Sequence, residues 1–335
     1  MKAYQYRKGS TLSDLCLVEC PVPRPGPGQV LVKIHSVSLN YRDLLVVTGK
    51  YPGFQPDNLI PLSDGAGEVV ELGNGVESLK IGARVTPSFF QSWKRGEMLD
   101  TDRESTLGGS VNGVAAQYCV FDADGLLEIP PHLGFEEAAT LPCAALTAWN
   151  GLHGPQPLTA GETVLTLGTG GVSIFALQLA QAAGAKVVIT SSSEKKLEKA
   201  HDLGADKCIN YAECLDWEKE VLEFTDGRGV DHVIETVGGG TIGKSIVSTR
   251  RGGWIHVIGL ISAGQIDSAD VLLGGVKLRG VEVGSLEMHA AMNRSFSHSL
   301  ITPVIDRSFP FGALPDALRY LQGGHHFGKV ILTMD

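Results

Sequence analysis

The sequence predicts an α/β protein in which a doubly wound parallel sheet accompanies a second, mostly β domain. Three observations predict this fold class. Between residues 126 and 285, apolar β-branched runs alternate with helical stretches. A glycine turn from Gly168 to Gly171 joins the first of these runs to the first helix. Before residue 125, short runs of alternating polarity separated by turn residues are typical of antiparallel strands.

The first predicted domain covers residues 1–125. Residues 29–38 alternate apolar and polar side chains, and further short strands are expected at 67–72, 83–86 and 115–121. The proline-rich run 20–28 is neither helix nor central strand, because a proline has no backbone N–H to donate. This part of the chain is therefore predicted to be an irregular β domain.

The second predicted domain covers residues 126–285. Strands are expected at 163–167, 186–190, 208–210, 230–235, 253–259 and 277–283, with helices at 172–183, 194–203, 217–224 and 241–248. Six strands with intervening helices indicate an open parallel sheet covered on both faces. Residues 286–335, with a helix near 314–321 and a strand at 329–333, are expected to fold back onto the first domain.

The glycine turn has the pattern of a dinucleotide site. The turn reads Gly168-Thr-Gly170-Gly171-Val172-Ser173, with serine where a third glycine or alanine is more usual. Glycines allow a tight turn and close approach of the backbone to a pyrophosphate, which the free N–H groups of the next helix then bind. A tight turn without a ligand is the alternative, but the strand, turn and helix context favours a Rossmann dinucleotide-binding site.

The residues after the second strand favour NADP(H) over NAD(H). An NAD site usually has a carboxylate about 20 residues after the first glycine, whereas counting from Gly168 reaches Ile189 to Ser192 without an acid. Hydroxyl and ammonium groups suit a 2′-phosphate, and Ser191, Ser192 and Lys196 supply them, with Ser193 and Lys195 beside them. A serine turn that caps the next helix, with lysines in solvent, is the alternative.

Composition limits the other functional classes. A chain of 335 residues suggests two domains, and its net charge of -9 argues against nucleic acid as a partner. No signal peptide opens the sequence, no apolar run has the length to span a membrane, and the six cysteines form no metal or disulfide pattern. We therefore expect a cytoplasmic protein with reduced thiols that acts on a small molecule, without a membrane or nucleic-acid partner.

Several motifs along the chain, in a fixed order, resemble those of the medium-chain dehydrogenase/reductase superfamily. The resemblance covers essentially the whole length. Besides the glycine turn, the motifs are Ser38-Leu-Asn40-Tyr41-Arg42-Asp43, Gly49-Lys-Tyr51-Pro52, Asp64-Gly-Ala-Gly-Glu68-Val, Leu141-Pro-Cys143-Ala-Ala-Leu-Thr147-Ala-Trp and Gly328-Lys329. The resemblance implies a GroES-like catalytic β domain, residues 1–125 and 286–335, and a Rossmann NADP(H)-binding domain, residues 126–285.

The same resemblance implies a protein without catalytic zinc. At the positions of the three zinc ligands of the alcohol dehydrogenases stand Asn40, Ser63 and Cys143, so only one ligand survives. Catalytic zinc needs three protein ligands, and substitution by His35 or Asp64 is the weaker alternative. The sequence is therefore similar to the zinc-free branch, which includes quinone oxidoreductases and enoyl reductases. An alcohol dehydrogenase or carbonyl reductase, or an NADPH-binding protein without turnover, remains an alternative.

The resemblance also implies site residues. In a metal-free reduction, Asn40 is expected to donate a hydrogen bond to the developing enolate oxygen, Tyr51 to donate a proton and Asp43 to orient the loop. Tyr41 and Arg42 are rivals for the same work, and a turn residue, a packed aromatic ring and a structural ion pair are the respective alternatives. The expected cofactor contacts are Thr147, Tyr211, Val237, Ile258, Gly259, Leu260, Phe327 and Lys329. Related dimers pair their sheets at the strand that corresponds to residues 277–283, so a homodimer is expected.

Overall fold

The computed structural model describes residues 1–7, 11–53 and 56–334. The chain forms two compact units: Met1–Leu146 with Val283–Asp335, and Thr147–Glu282. The first unit therefore extends beyond the predicted limit at residue 125, because Leu126–Glu128 pairs with Arg84–Pro87 in its sheet. At the other end, the second unit stops at Glu282 rather than at residue 285.

The elements of the first part of the chain are mostly short strands. They are β1 (Lys2–Gln5), β2 (Cys16–Glu19), β3 (Gln29–Leu39), α1 (Tyr41–Val47), β4 (Asp64–Leu72), β5 (Arg84–Pro87), α2 (Asp100–Arg103), β6 (Tyr118–Asp122), β7 (Leu126–Glu128), α3 (Phe135–Ala139), a π-helical segment (Leu141–Ala145) and α4 (Leu146–His153). The predicted strand at 115–121 begins later, at Tyr118.

The second unit alternates strands and helices. Its elements are β8 (Thr163–Leu167), α5 (Gly171–Ala182), β9 (Lys186–Ser191), α6 (Glu194–Asp202), β10 (Lys207–Asn210), α7 (Trp217–Phe224), β11 (Val230–Glu235), α8 (Ile242–Ser248), β12 (Thr249–Val257), α9 (Ser268–Gly274) and β13 (Lys277–Gly280). The six strands are all parallel, in the order β10-β9-β8-β11-β12-β13. This order confirms the doubly wound sheet.

The last part of the chain returns to the first unit. It forms α10 (Leu286–Ser299), β14 (Ile305–Pro310), α11 (Leu314–Gln322) and β15 (Lys329–Thr333). The larger sheet of that unit has the order β14-β15-β3-β4-β5-β7, with β6 paired to one end of β3. β15 pairs antiparallel with β3, so the expectation that the tail folds back onto the β domain is confirmed.

One helix of the tail was not predicted from the sequence. α10 is 14 residues long, and its N-cap Ser285 accepts a hydrogen bond from the Met288 N–H. Its buried face includes His289 and Asn293 beside Met292 and Phe296. Polar residues on the buried face obscure the apolar 3.6-residue period on which a sequence-based prediction depends. Within the described part of the chain, no helix has the length and apolar character needed to cross a membrane.

Candidate functional site

Strand register brings the predicted catalytic segment together with two charged residues. β3 ends at Leu39, and its antiparallel partners are β15 on one side and β4 on the other. Leu39 lies opposite Val330 and Ser38 lies opposite Asp64. Lys329, which begins β15, and Asp64, which begins β4, therefore flank the residue that follows β3, Asn40.

Asn40 is the N-cap of α1 and is only 8% exposed. Its backbone N–H donates to Asp43 Oδ2 at 2.8 Å, which closes the first turn of the helix. The Lys329 ammonium donates to the Leu39 carbonyl at 2.7 Å and to Asn40 Oδ1. The amide nitrogen Nδ2 is buried, and no described residue forms a hydrogen bond with it.

Asp64 carries a carboxylate with no exposed surface. Its Oδ1 accepts from the Ser63 hydroxyl at 2.7 Å, and its Oδ2 accepts from the Cys143 N–H at 3.1 Å. Burial raises the pKa of Asp64 to about 6, although Lys329, Ser63 and Asn40 act to lower it. This carboxyl group therefore changes its protonation state near neutral pH.

Two further charged residues in this cluster are buried. Burial lowers the pKa of the Lys329 ammonium, and Asp64, Cys143 and Asp43 oppose that effect. Burial raises the pKa of Asp43, against the attraction of Arg42. The cluster therefore contains charged groups that are buried away from water, so each group depends on its neighbours for stabilisation.

Arg42 connects Asp43 to the segment that contains Leu107 and Gly108. Its Nη1 donates to Asp43 Oδ1 at 3.1 Å and to the carbonyls of Leu107 and Gly108 at 3.1 and 3.0 Å. Its guanidinium lies 4.6 Å from the ring centroid of Tyr51, which packs against the core of the first unit. Arg42 therefore fixes Asp43 and Tyr51, whereas Tyr41 is 44% exposed.

The residues at the predicted zinc positions do converge, yet they do not fit a zinc ion. Asn40, Ser63 and Cys143 all lie around Asp64. Zinc requires three nitrogen, thiolate or carboxylate ligands; here the only amide oxygen is bonded to an ammonium, and burial raises the pKa of the Cys143 thiol. In the ranges 1–7, 11–53 and 56–334, no group of three or more His, Cys, Asp and Glu residues could hold a metal.

The predicted dinucleotide turn of the second unit has the backbone that an anion site needs. Gly168 has φ = 74°, and a Cβ placed there would meet open space. Gly170 is the N-cap of α5 and provides no side-chain cap, so no N-cap side chain occupies the first-turn N–H groups that bind an anion in such sites. Ser173, at the third position of the fingerprint, donates to the Leu167 carbonyl at 2.6 Å, so its hydroxyl ties α5 to β8.

The predicted phosphate-binding residues gather at the ends of β9 and β10. Ser191 is 4% exposed and accepts from the Ser193 N–H at 3.3 Å, whereas Ser192 is exposed and Lys196 is half-buried. The Tyr211 N–H donates to the Ser191 carbonyl at 3.0 Å, so these two residues are neighbours. Glu194 also lies here and accepts from the Asn210 amide at 2.6 Å.

A buried carboxylate that the sequence analysis did not identify organises the remaining cofactor segments. Glu235, at the end of β11, accepts from the N–H groups of Val237 and Gly238 at 3.0 and 3.1 Å. The hydroxyls of Thr241 and Ser245 donate to it as well. Its own carbonyl accepts from the N–H groups of Ile258 and Gly259, both at 2.9 Å. Two predicted segments are therefore fixed to one residue.

The other predicted contacts differ in exposure. Leu260 is 67% exposed, while Thr147 and Phe327 are each 3% exposed. Thr147 belongs to the second unit and Phe327 to the first. Lys329, which was also predicted as a cofactor contact, is 3% exposed, and its ammonium lies beside Asn40. A lysine directly before the apolar run Val330–Leu332 was the sequence signal for its burial.

Comparisons with known proteins agree with the geometry. Residues 26–131 match the alcohol dehydrogenase GroES-like domain family, and residues 171–297 match the zinc-binding dehydrogenase family. A zinc-type alcohol dehydrogenase-like protein of Schizosaccharomyces pombe is 43% identical over 326 residues, which cover 95% of this chain and 94% of the relative. The chain belongs to the medium-chain dehydrogenase/reductase superfamily. Membership of this superfamily indicates that the chain is an oxidoreductase that uses a nucleotide cofactor.

Three solved structures extend the comparison over the whole length of this superfamily member. A protein of Sinorhizobium meliloti 1021 described as an alcohol dehydrogenase is 37% identical, with a TM-score of 0.93 and coverage of 99% and 98% of the two chains. An NAD-dependent alcohol dehydrogenase is 31% identical, with a TM-score of 0.91 and coverage of 100% of both. A mycobacterial protein complexed with NADPH is 26% identical, with a TM-score of 0.84 and coverage of 99% and 100%.

Proposed function

We propose that this protein is an NADPH-dependent, metal-independent reductase of α,β-unsaturated carbonyl compounds or quinones. The observation that carries the proposal is the buried amide nitrogen of Asn40, which no described residue binds and which stands at a zinc-ligand position. In a reduction of a conjugated carbonyl, negative charge develops on the oxygen and has to be stabilised. An amide N–H supplies a hydrogen bond there without a metal.

The residues of the chain divide the work as follows. NADPH, when bound, supplies the hydride. Asn40 Nδ2 donates to the carbonyl oxygen as negative charge develops on that oxygen. The Asp43 carboxylate keeps Asn40 in place by accepting from the Asn40 backbone N–H. Tyr51 stands beside the same loop, held by Arg42, and we propose it as the donor of the proton that the α-carbon takes up.

The cofactor segments of the second unit support a dinucleotide. We propose that Gly168, Gly170, Gly171 and Val172 hold the pyrophosphate through backbone N–H groups, because α5 has no side-chain cap. Val237, Ile258, Gly259 and Leu260 are proposed to follow the ribose and carboxamide, with Thr147 and Phe327 as further contacts.

The preference for NADPH over NADH is proposed from the ends of β9 and β10. The residues that would bind a 2′-phosphate there are Ser191, Ser192, Lys196 and Tyr211. The neighbouring carboxylate of Glu194 accepts a hydrogen bond from the Asn210 amide. We expect Lys196→Ala to weaken NADPH binding about 10- to 100-fold and NADH binding far less. Lys199→Ala, one turn further along α6, is the matched control. Fluorescence titration with both cofactors tests this, and equal losses for both would contradict it.

A panel of enones, quinones, aldehydes and alcohols tests the reaction itself. Turnover of enones or quinones with NADPH, in a sample whose zinc content is far below stoichiometric, is the expected result. Asn40→Ala is expected to lower kcat about 100- to 1,000-fold, in the range seen when one oxyanion donor is removed. Stoichiometric zinc and chelator-sensitive alcohol oxidation would favour the alcohol dehydrogenase alternative. Cofactor binding without turnover across the panel would favour the NADPH-binding alternative.

A homodimer is proposed on separate grounds. β13 is the last strand of its sheet, and one of its edges has no partner strand in the described ranges. α9 directly precedes this strand, and its Leu272 and Leu273 are 79% and 69% exposed. A second copy paired at this edge would cover both the strand and the apolar side chains. Light scattering is expected to give twice the mass of the chain, and a monomeric mass would contradict the proposal.

A further inference from the structure

The strongest unexplained feature is the buried ammonium of Lys329 next to Asn40. Lys329 is 3% exposed, and its ammonium donates to the Leu39 carbonyl at 2.7 Å and to Asn40 Oδ1. A charge held out of water at this depth is costly unless its partners compensate it. Asp64, on the other side of Asn40, supplies the opposite charge through the register of β4.

These two charges determine which way the Asn40 amide faces. An ammonium has three donors and no acceptor, so the amide atom that meets it has to be the oxygen. A carboxylate has only acceptors, so it attracts the amide nitrogen; Asn40 acts to lower the pKa of Asp64, although Nδ2 forms no hydrogen bond with it. The cation and the anion therefore favour the same orientation, and the assignment of oxygen and nitrogen follows from chemistry.

We propose that Lys329 is a positioning residue, which holds the Asn40 side chain by its oxygen so that the amide nitrogen is presented to the reacting carbonyl. The inference rests on the proposed function, because it assigns a role within the same site. Nδ2 carries two hydrogens, so one can face Asp64 while the second serves the substrate oxygen. Polarisation of the amide by the ammonium also strengthens the N–H as a donor.

Kinetics in two backgrounds test this role. We expect Lys329→Met to lower kcat about 10- to 100-fold in the native background and to have no further effect when Asn40 is already alanine. A residue that acts through Asn40 loses its effect when Asn40 is absent. Lys329→Arg, which keeps the charge and the donors, is expected to retain more activity than Lys329→Met. The exposed Lys33→Met, on β3, is the matched control.

Cofactor affinity separates this role from a direct contact with NADPH. The dissociation constant for NADPH, measured by fluorescence, is expected to change less than about 3-fold in Lys329→Met. Equal losses of kcat in both backgrounds, or a large loss of NADPH affinity in both, would overturn the inference. Should Lys329→Met fail to fold, the charge-matched Lys329→Met/Asp64→Asn pair replaces it, compared with Asp64→Asn alone.

A measurement without turnover distinguishes failure of this inference from failure of the proposed function. In protein labelled with ¹⁵N-asparagine, the side-chain signals of Asn40 are assigned by their loss in Asn40→Asp. We expect one well-defined NH₂ pair in the native protein, and a shifted or exchange-broadened pair in Lys329→Met. Unchanged Asn40 signals would overturn the positioning role even if enone reduction is observed. Changed signals in a protein that reduces no enone or quinone would retain the role and reject the reaction.

Discussion

Two buried carboxylates, one in each unit, serve different purposes. Glu235 receives hydrogen bonds from two backbone N–H groups and two hydroxyls, all of them neutral donors. Asp64 receives two hydrogen bonds, and the Lys329 ammonium and the Asn40 amide, whose nitrogen forms no hydrogen bond with a described residue, act to lower its pKa. The first arrangement is complete and fixes a turn. The second leaves donor capacity unused, which is what a site for chemistry requires.

The largest effect we expect concerns the complete arrangement. Glu235→Ala removes the acceptor of four donors. Two of these donors are backbone N–H groups, which are left without their acceptor. Leaving such buried donors without partners is expected to lower the free energy of unfolding by roughly 3–5 kcal/mol. Urea unfolding followed by far-UV circular dichroism measures it.

Two further variants give this test its controls. Glu235→Gln keeps an acceptor for the backbone N–H groups, so a much smaller loss is expected if Glu235 works through hydrogen bonds. Glu220→Ala removes a half-buried surface carboxylate paired with Lys207 at 2.9 Å, and a change below about 1 kcal/mol is expected. A loss at Glu235→Ala no larger than that of Glu220→Ala would show that the turn is held by other contacts.

Because Asp64 is buried, the folded protein is expected to become less stable as the pH rises. The folded pKa of Asp64 is about 6, above the ordinary value of 3.8, so between pH 3.8 and 6 the folded protein holds a proton that the unfolded chain has released. The native state therefore loses about 3 kcal/mol across this window. Asp64→Asn removes this dependence. The difference in unfolding free energy between the two proteins is expected to widen from pH 4 to pH 7, and parallel curves would contradict the buried charge.

A smaller effect of opposite sign is expected from the histidines of the second unit. His256 is 1% exposed, its Nε2 lies 3.0 Å from His232 Nδ1, and burial lowers its pKa from 6.5 to about 3. A histidine kept neutral in the folded state contributes stability above pH 6.5 that is lost as the pH falls. His256→Gln is expected to reduce the loss between pH 6.5 and 5 by about 2 kcal/mol. An unchanged loss of unfolding free energy between pH 6.5 and 5 would show that other groups cause this loss.

The contrast between the units also explains what the sequence could predict. β8 and β9 are mostly apolar runs buried throughout or nearly so, and period and composition identify such strands directly. The glycine turn was recognisable because a positive φ at Gly168 restricts the residue type. Local patterns of this kind need no knowledge of distant residues.

The candidate site depended on information that is not local. Asn40 and Tyr51 were found through motifs, but the partnership of Asn40 with Lys329 joins residues that are 289 positions apart. Only the register of β15 against β3 makes that pair, and register is set by turn geometry and packing across the whole sheet. Glu235 was missed for a related reason, since its role depends on the two loops that its carboxylate and carbonyl hold.

The position of β15 also sets the order in which the protein can be completed during synthesis. Thr147–Glu282 is one continuous segment, so its sheet can close while β15 is still inside the ribosome. Residues 36–39 of β3 pair with β15, and they have no such partner until β15 emerges. Until then a sheet edge stays open to other chains, and the polar site behind it lacks its ammonium. Asn40 acquires its electrostatic partner only after β15 has been synthesised.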